Sequence, residues 1–203
     1  FSCRMVLPLS DHSGHEPDNV IVRCKEHQAE QQREGGDGQT ALNFFRHSMA
    51  GDCLDEQEDD FAAWQPDAVI VNLGTNDTGA FDNPPWTDPA TGKPHQLRRL
   101  SNGDFHPADA QKVANGVQHF LTLLRAKNPG AKLVWCIGML GSELLPVLRQ
   151  GMEQYKAITG DSSVYLLELP NTTPETVGAR QHPGAENHRQ AAKGLTAFLR
   201  TIL

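Results

Sequence analysis

Asp67-Ala68-Val69-Ile70-Val71-Asn72-Leu73-Gly74-Thr75-Asn76-Asp77 is an apolar run that ends in a turn presenting an asparagine amide. A half-exposed strand alternates apolar and polar residues, whereas 68–73 is almost continuously apolar. It therefore predicts a parallel strand covered on both faces. Gly74 permits a tight turn after it. Asn76 would then hold its NH2 donors at the carboxyl end of the strand, where ligands bind in open α/β sheets and where a developing oxyanion needs a donor. Asp77 is expected to buttress the turn through backbone bonds. Taken alone, these four residues also read as an ordinary strand-ending turn, where Asn and Asp are common.

Downstream of this strand, helix and strand signals alternate. Pro107–Lys127 places Val113, Val117, Phe120, Leu121, Leu123 and Leu124 on one side of a helix, and Asn128-Pro129-Gly130 stops it. Residues 132–137 read as a strand and 142–159 as an amphipathic helix carrying Leu144, Leu145, Val147, Leu148, Met152 and Tyr155, ended by Gly160. Val164–Leu169 is a third strand, and 186–203 a last helix with Ala191, Ala192, Leu195, Phe198, Leu199 and Leu203. This βαβαβα order implies right-handed crossovers and an open parallel α/β sheet with helices on both faces.

Two stretches fit that pattern poorly. Residues 81–105 form a long polar insertion rich in Pro, Asp and Gly, with Trp86 as its prominent large apolar side chain. Loops of that length are commonly functional, and this one leaves the Asn76 strand, so it reads either as a lid or substrate wall using Trp86 or as a plain surface loop. In the first 60 residues, 4–9 and 19–23 are short strand candidates. The nearly all-polar 26–38 cannot supply the long crossover helix that such strands need. The amino-terminal part is therefore expected to be irregular or incomplete.

The bulk composition narrows the classes of function. At 203 residues the chain fits one domain. A formal charge of −7, with Arg98-Arg99 as the only basic knot, argues against a nucleic-acid partner. No apolar run reaches the roughly 20 residues that span a bilayer, so no membrane association is expected. No leader precedes a small-residue cleavage site, and a chain opening on Phe1 is expected to be a processed or excerpted piece of something longer. Cys3, Cys24, Cys53 and Cys136 lack regular spacing and read as free thiols, which leans toward a reducing, cytoplasmic compartment.

Gly74-Thr75-Asn76-Asp77 resembles the Gly-x-Asn-Asp signature of the SGNH, or GDSL-like, hydrolases. His182-Pro183-Gly184-Ala185-Glu186-Asn187-His188 resembles the block that carries their catalytic histidine. The resemblance covers 61–203 and is closest to bacterial esterases of the carbohydrate esterase family 2 type. It implies a flavodoxin-like three-layer sandwich. It also implies hydrolysis of a small acyl ester, plausibly an O-acetyl group on a carbohydrate, with no metal or organic cofactor. His182 would be general base and then general acid, and Asn76 the oxyanion donor. Pro183 and the small residues after it lead into the last helix and leave His182 on the preceding loop, whereas His188 falls inside the helix and reads as a packing or capping residue. The i, i+6 spacing does not put both on one helix face, which argues against zinc.

The sequence departs from the family at two points. Many members carry an aspartate three residues before the histidine, and here that position is Ala179. Some members of the family 2 branch orient the imidazole through a backbone carbonyl, which implies a Ser-His dyad. The second departure is the nucleophile, because no Gly-Asp-Ser block opens the chain. Leu7-Pro8-Leu9-Ser10-Asp11-His12-Ser13-Gly14 is the nearest echo, with Ser13 ahead of Ser10 as candidate. Gly35-Gly36-Asp37-Gly38-Gln39-Thr40 resembles the family's glycine block, in which the Gly35 N–H would join the oxyanion hole, and it also reads as a flexible polar loop. The alternative function is a catalytically inactive scaffold that lacks its nucleophile through truncation or divergence and binds glycans or a partner, or has no role. A flavodoxin-like nucleotide binder lacks the phosphate-cradling loop it would need.

Overall fold

The computed structural model describes residues 20–22, 65–87 and 92–203. Among these residues, four parallel strands form the main sheet in the order β1 (Val20–Val22), β2 (Ala68–Asn72), β5 (Lys132–Gly138) and β6 (Val164–Leu169). Registers run Val20 to Ala68, Ala68 to Lys132 and Leu133 to Val164, so the carboxyl ends of all four strands lie on one edge. The helices are α1 (Thr75–Ala80), α2 (Pro107–Lys127), α3 (Leu145–Thr159) and α4 (Ala185–Ile202).

Alternate side chains of β2, β5 and β6 enter opposite cores. Val71, Leu133, Trp135 and Ile137 pack with Val117, Leu121, Leu148 and Met152 of α2 and α3. Ala68, Ile70, Val134 and Cys136 pack with Ala191, Leu195 and Leu199 of α4. The strands are continuously apolar because both faces are covered, as expected for a three-layer sandwich. Burial pushes the Cys136 thiol up to about 12, so it is a protonated packing group. The other three cysteines lie outside the described residues, as does the strand candidate 4–9. The candidate at 19–23 is β1, outermost on its side of the sheet among the described residues.

Most element boundaries follow the sequence pattern. One differs by more than a residue: the helix expected from 142 starts at Leu145, because Pro146 has no N–H to donate and is tolerated only in a first turn. The insertion is also better anchored than its polarity suggests. It folds a hairpin, β3 (Trp86–Thr87) with β4 (Pro94–His95), buries Leu97 and closes with a bridge between Arg99 and Phe105. Among the described residues no helix is long and apolar enough to cross a membrane.

Candidate active site

The apolar strand β2 delivers Gly74 to the carboxyl edge of the sheet, and Gly74 turns the chain with φ 118, a conformation L side chains rarely adopt. The indole N–H of Trp135 on neighbouring β5 donates to the Leu73 carbonyl at 2.8 Å and fixes the start of the turn. The chain then enters the short helix α1, with Asn76 exposed in its first turn and Asp77 buried beneath it at 2 % exposure. The turn expected from sequence is thus a helical one. It separates an outward amide from an inward carboxylate one residue later.

His182 leaves the same edge, beyond β6, in a tightly closed loop. Val177 pairs with Pro183, Gly178 N–H donates to the His182 carbonyl at 2.7 Å, and Gly184 N–H donates to Thr176 O at 2.8 Å. Inside the loop, Arg180 and Gln181 take left-handed φ values of 54 and 63 without being glycine. Such conformations persist where surroundings enforce them, and they cluster at functional sites. Here the bend brings the Arg180 carbonyl to 2.9 Å from His182 Nδ1. A carbonyl only accepts, so Nδ1 must carry the hydrogen and the neutral ring keeps Nε2 as a free base. Ala179 has no group for this task, and the main chain performs it instead.

Strand β5 lies between β2 and β6, so the carboxyl ends of those two strands are two strand spacings, or about 10 Å, apart. The carboxyl ends of β5 and β6 are tied together. Gly138, at φ 131, meets Leu169 so closely that a Cβ would stand 2.3 Å from the Leu169 carbonyl oxygen. Thr172 donates to the Met139 carbonyl through both its backbone N–H (2.8 Å) and Oγ1 (2.6 Å), and Gly141 N–H donates to Asn171 Oδ1 at 2.9 Å. On the β2 side, Arg98 and Lys112 hold Asp109 at 2.7 and 2.6 Å. Burial pushes that carboxyl up, but the two cations outweigh it and keep it at about 2.

The structure thus brings Asn76 and His182 to one edge. His188 is exposed on α4, which removes the packing half of the expectation that it packs or caps; the helix turns that position outward. Trp86 pairs through its backbone with His95. Ser13, Ser10 and Gly35 lie outside the described residues, and among the described residues no serine hydroxyl is hydrogen-bonded to His182 Nε2.

Several features escaped sequence reasoning. The resemblance implied a backbone carbonyl as the partner of His182 but not that it is the one of Arg180, and Trp135 could be suspected only because a buried indole N–H needs an acceptor. The chain also contains one Gly-Asp-Ser tripeptide, Gly160-Asp161-Ser162. It lies between α3 and β6 at the amino edge of the sheet, opposite Asn76 and His182, and Asp161 is engaged by Arg125 and Tyr155.

The sequence and the fold have counterparts among known proteins. The sequence profile of the GDSL-like Lipase/Acylhydrolase family matches residues 24–200, leaving Ser10 and Ser13 before the match and Gly35 within it. The cellulase/esterase CelE of Acetivibrio thermocellus is 26% identical over 149 residues, which are 71% of this chain and 15% of that protein. An acetyl xylan esterase from the rumen bacterium Butyrivibrio proteoclasticus superposes with a TM-score of 0.68 at 44% identity, covering 70% of this chain and 38% of that one. An active-site mutant of a family two carbohydrate esterase from Clostridium thermocellum shares the fold at a TM-score of 0.50 and 24% identity, covering 70% of this chain and 37% of that one. The chain spans well under half the length of these relatives.

Proposed function

From the premise that the chain belongs to the GDSL-like lipase/acylhydrolase family, we propose that it hydrolyses small acyl esters, and specifically O-acetyl groups carried by a carbohydrate. A serine hydroxyl attacks the ester carbonyl while His182 Nε2 takes its proton, and the imidazolium is held by its Nδ1–H bond to the Arg180 carbonyl. The Asn76 amide donates to the oxygen that becomes negative. His182 then gives the proton to the departing sugar hydroxyl, and water repeats the sequence to release the acid. Ser13 is the proposed nucleophile, Gly35 the second oxyanion donor, and Trp86 a sugar-contacting side chain. No metal or organic cofactor has a role in this scheme.

The single observation that carries the reading is the 2.9 Å contact between His182 Nδ1 and the Arg180 carbonyl. It frees Nε2 as a base where no acid is available. The acetyl carbohydrate substrate is supported by the named activity of the acetyl xylan esterase that superposes on the chain. The test is hydrolysis of p-nitrophenyl acetate by wild type and His182→Ala, with a loss on the order of 10²–10⁴ in rate expected. Equal rates would remove His182 from the chemistry. A second reading, an inactive glycan-binding scaffold, is favoured by the absence of a Gly-Asp-Ser tripeptide on the amino-terminal side of β2. An inactive wild type that retains glycan binding would establish it.

A further inference from the structure

The helix bearing Asn76 is only six residues long and has no side-chain cap at its start. A helix that short has no stability of its own, so the place of the amide depends on what holds the two ends. The Trp135 indole holds the first end through Leu73 O. At the other end, Phe81 is buried against Phe105 with ring centroids 4.3 Å apart, and Asp82 comes next in the chain.

Arg99 gathers everything around that second end. Its Nε and Nη2 grip the two oxygens of Asp82 at 2.8 and 3.1 Å, Nη2 also donates to Glu143 at 3.1 Å, and Nη1 donates to the Gly103 carbonyl at 3.0 Å. The guanidinium also lies 4.7 Å from the centroid of Phe105. One side chain therefore joins the end of α1, the returning limb of the 81–105 insertion and the loop between β5 and α3. Asp82 and Glu143 are 58% and 62% exposed, so these pairs contribute little to global stability. A two-pronged contact does fix direction, which an ammonium cannot reproduce.

We propose that Arg99 is a positioning residue for the oxyanion donor: by forking onto Asp82 and bridging to Glu143 it fixes α1, and so the Asn76 amide, against the carboxyl edge of the sheet. The inference rests on the reading of Asn76 as that donor. It also makes the base of the insertion a fixed wall of the crevice.

The experiment compares wild type, Arg99→Ala and Arg99→Lys by p-nitrophenyl acetate kinetics, thermal unfolding and amide hydrogen exchange. Arg99→Ala is expected to lower kcat about tenfold or more while KM moves less than about twofold. Exchange in 75–82 should quicken about tenfold, with β5 and α4 unchanged and Tm moved only slightly. Arg99→Lys should recover less than half of either effect, because it keeps the charge and loses the fork. Unchanged exchange in 75–82, a rise spread evenly through β5 and α4, or full recovery by lysine would each overturn the proposal. If Arg99→Ala does not fold, Asp82→Asn weakens the same grip and must show the same exchange pattern. An inactive wild type overturns the esterase reading alone, and the exchange measurement then decides the positioning role.

Discussion

Gly74-Thr75-Asn76-Asp77 and Gly160-Asp161-Ser162 are built from the same kinds of residue and occupy opposite edges of one sheet. The first lies just after β2 and leaves its amide exposed at the carboxyl edge. The second precedes β6 at the amino edge, where Asp161 accepts from Arg125 Nε at 2.8 Å, from Tyr155 OH at 2.9 Å and from Ser163 N–H at 2.8 Å. Arg125 in turn donates through Nη1 to the carbonyls of Asn128, Pro129 and Ala131. One edge is thus a polar knot that fastens helix ends to strand starts. The other carries non-glycine residues in left-handed conformations and polar side chains facing outward. A tripeptide's chemistry therefore depends on which end of a parallel strand it occupies, and the literal Gly-Asp-Ser sits at the supporting end.

Three substitutions can break or sharpen that contrast, taken from the largest expected effect to the smallest. Asn76→Ala should lower kcat on p-nitrophenyl acetate by on the order of 10²–10³, the cost of an oxyanion donor, with Tm nearly unchanged. A fall in Tm with kcat intact would instead make the carboxyl edge the structural one. Asp161→Asn should destabilise the fold by about 1–3 kcal/mol in urea unfolding, because it removes the charged acceptor of Arg125 and Tyr155, while leaving kcat unaltered.

The pH dependence of that second variant is set by the state of the Asp161 carboxyl. Burial raises its pKa, but the Ser163 N–H, Arg125 and Tyr155 outweigh burial and hold it below the ordinary carboxylate value. A depressed folded pKa contributes stability that is present above about pH 4 and is lost as pH falls through the lowered value. The gap between wild type and Asp161→Asn should therefore narrow on acidification below about pH 4. The smallest effect is expected of Ser162→Ala, which should leave hydrolysis unchanged and stability within about 0.5 kcal/mol. Loss of activity there would place the nucleophile at the amino edge and undo the comparison.

Much of the fold was legible because burial on both faces leaves a strong imprint on composition. The runs at β2, β5 and β6, the Asn-Pro-Gly stop after α2 and the glycine after α3 all mark their elements. The insertion reads as polar, Leu97 carries no signal and Arg99 reads only as half of a small basic knot, because one buried leucine and one forked arginine make no period. The site was half legible. Asn76 and His182 stand in local motifs, but the partner of His182 is a main-chain oxygen aimed by the dihedral angles of Arg180 and Gln181, which no residue type at those positions announces.

By itself, the sequence determined the alternation of apolar strands and amphipathic helices, the side-chain amide after β2 and the imidazole before the last helix. Hydrophobic patterning and short motifs are local, so a chain can be read for them without coordinates. Only the tertiary structure decided that β5 sets Asn76 and His182 on one edge, that Gly160-Asp161-Ser162 faces the other, and that the carbonyl standing where an acid was missing is that of Arg180. Strand order, loop dihedrals and backbone hydrogen bonds are relations between distant residues, and they become definite only when the sheet is assembled.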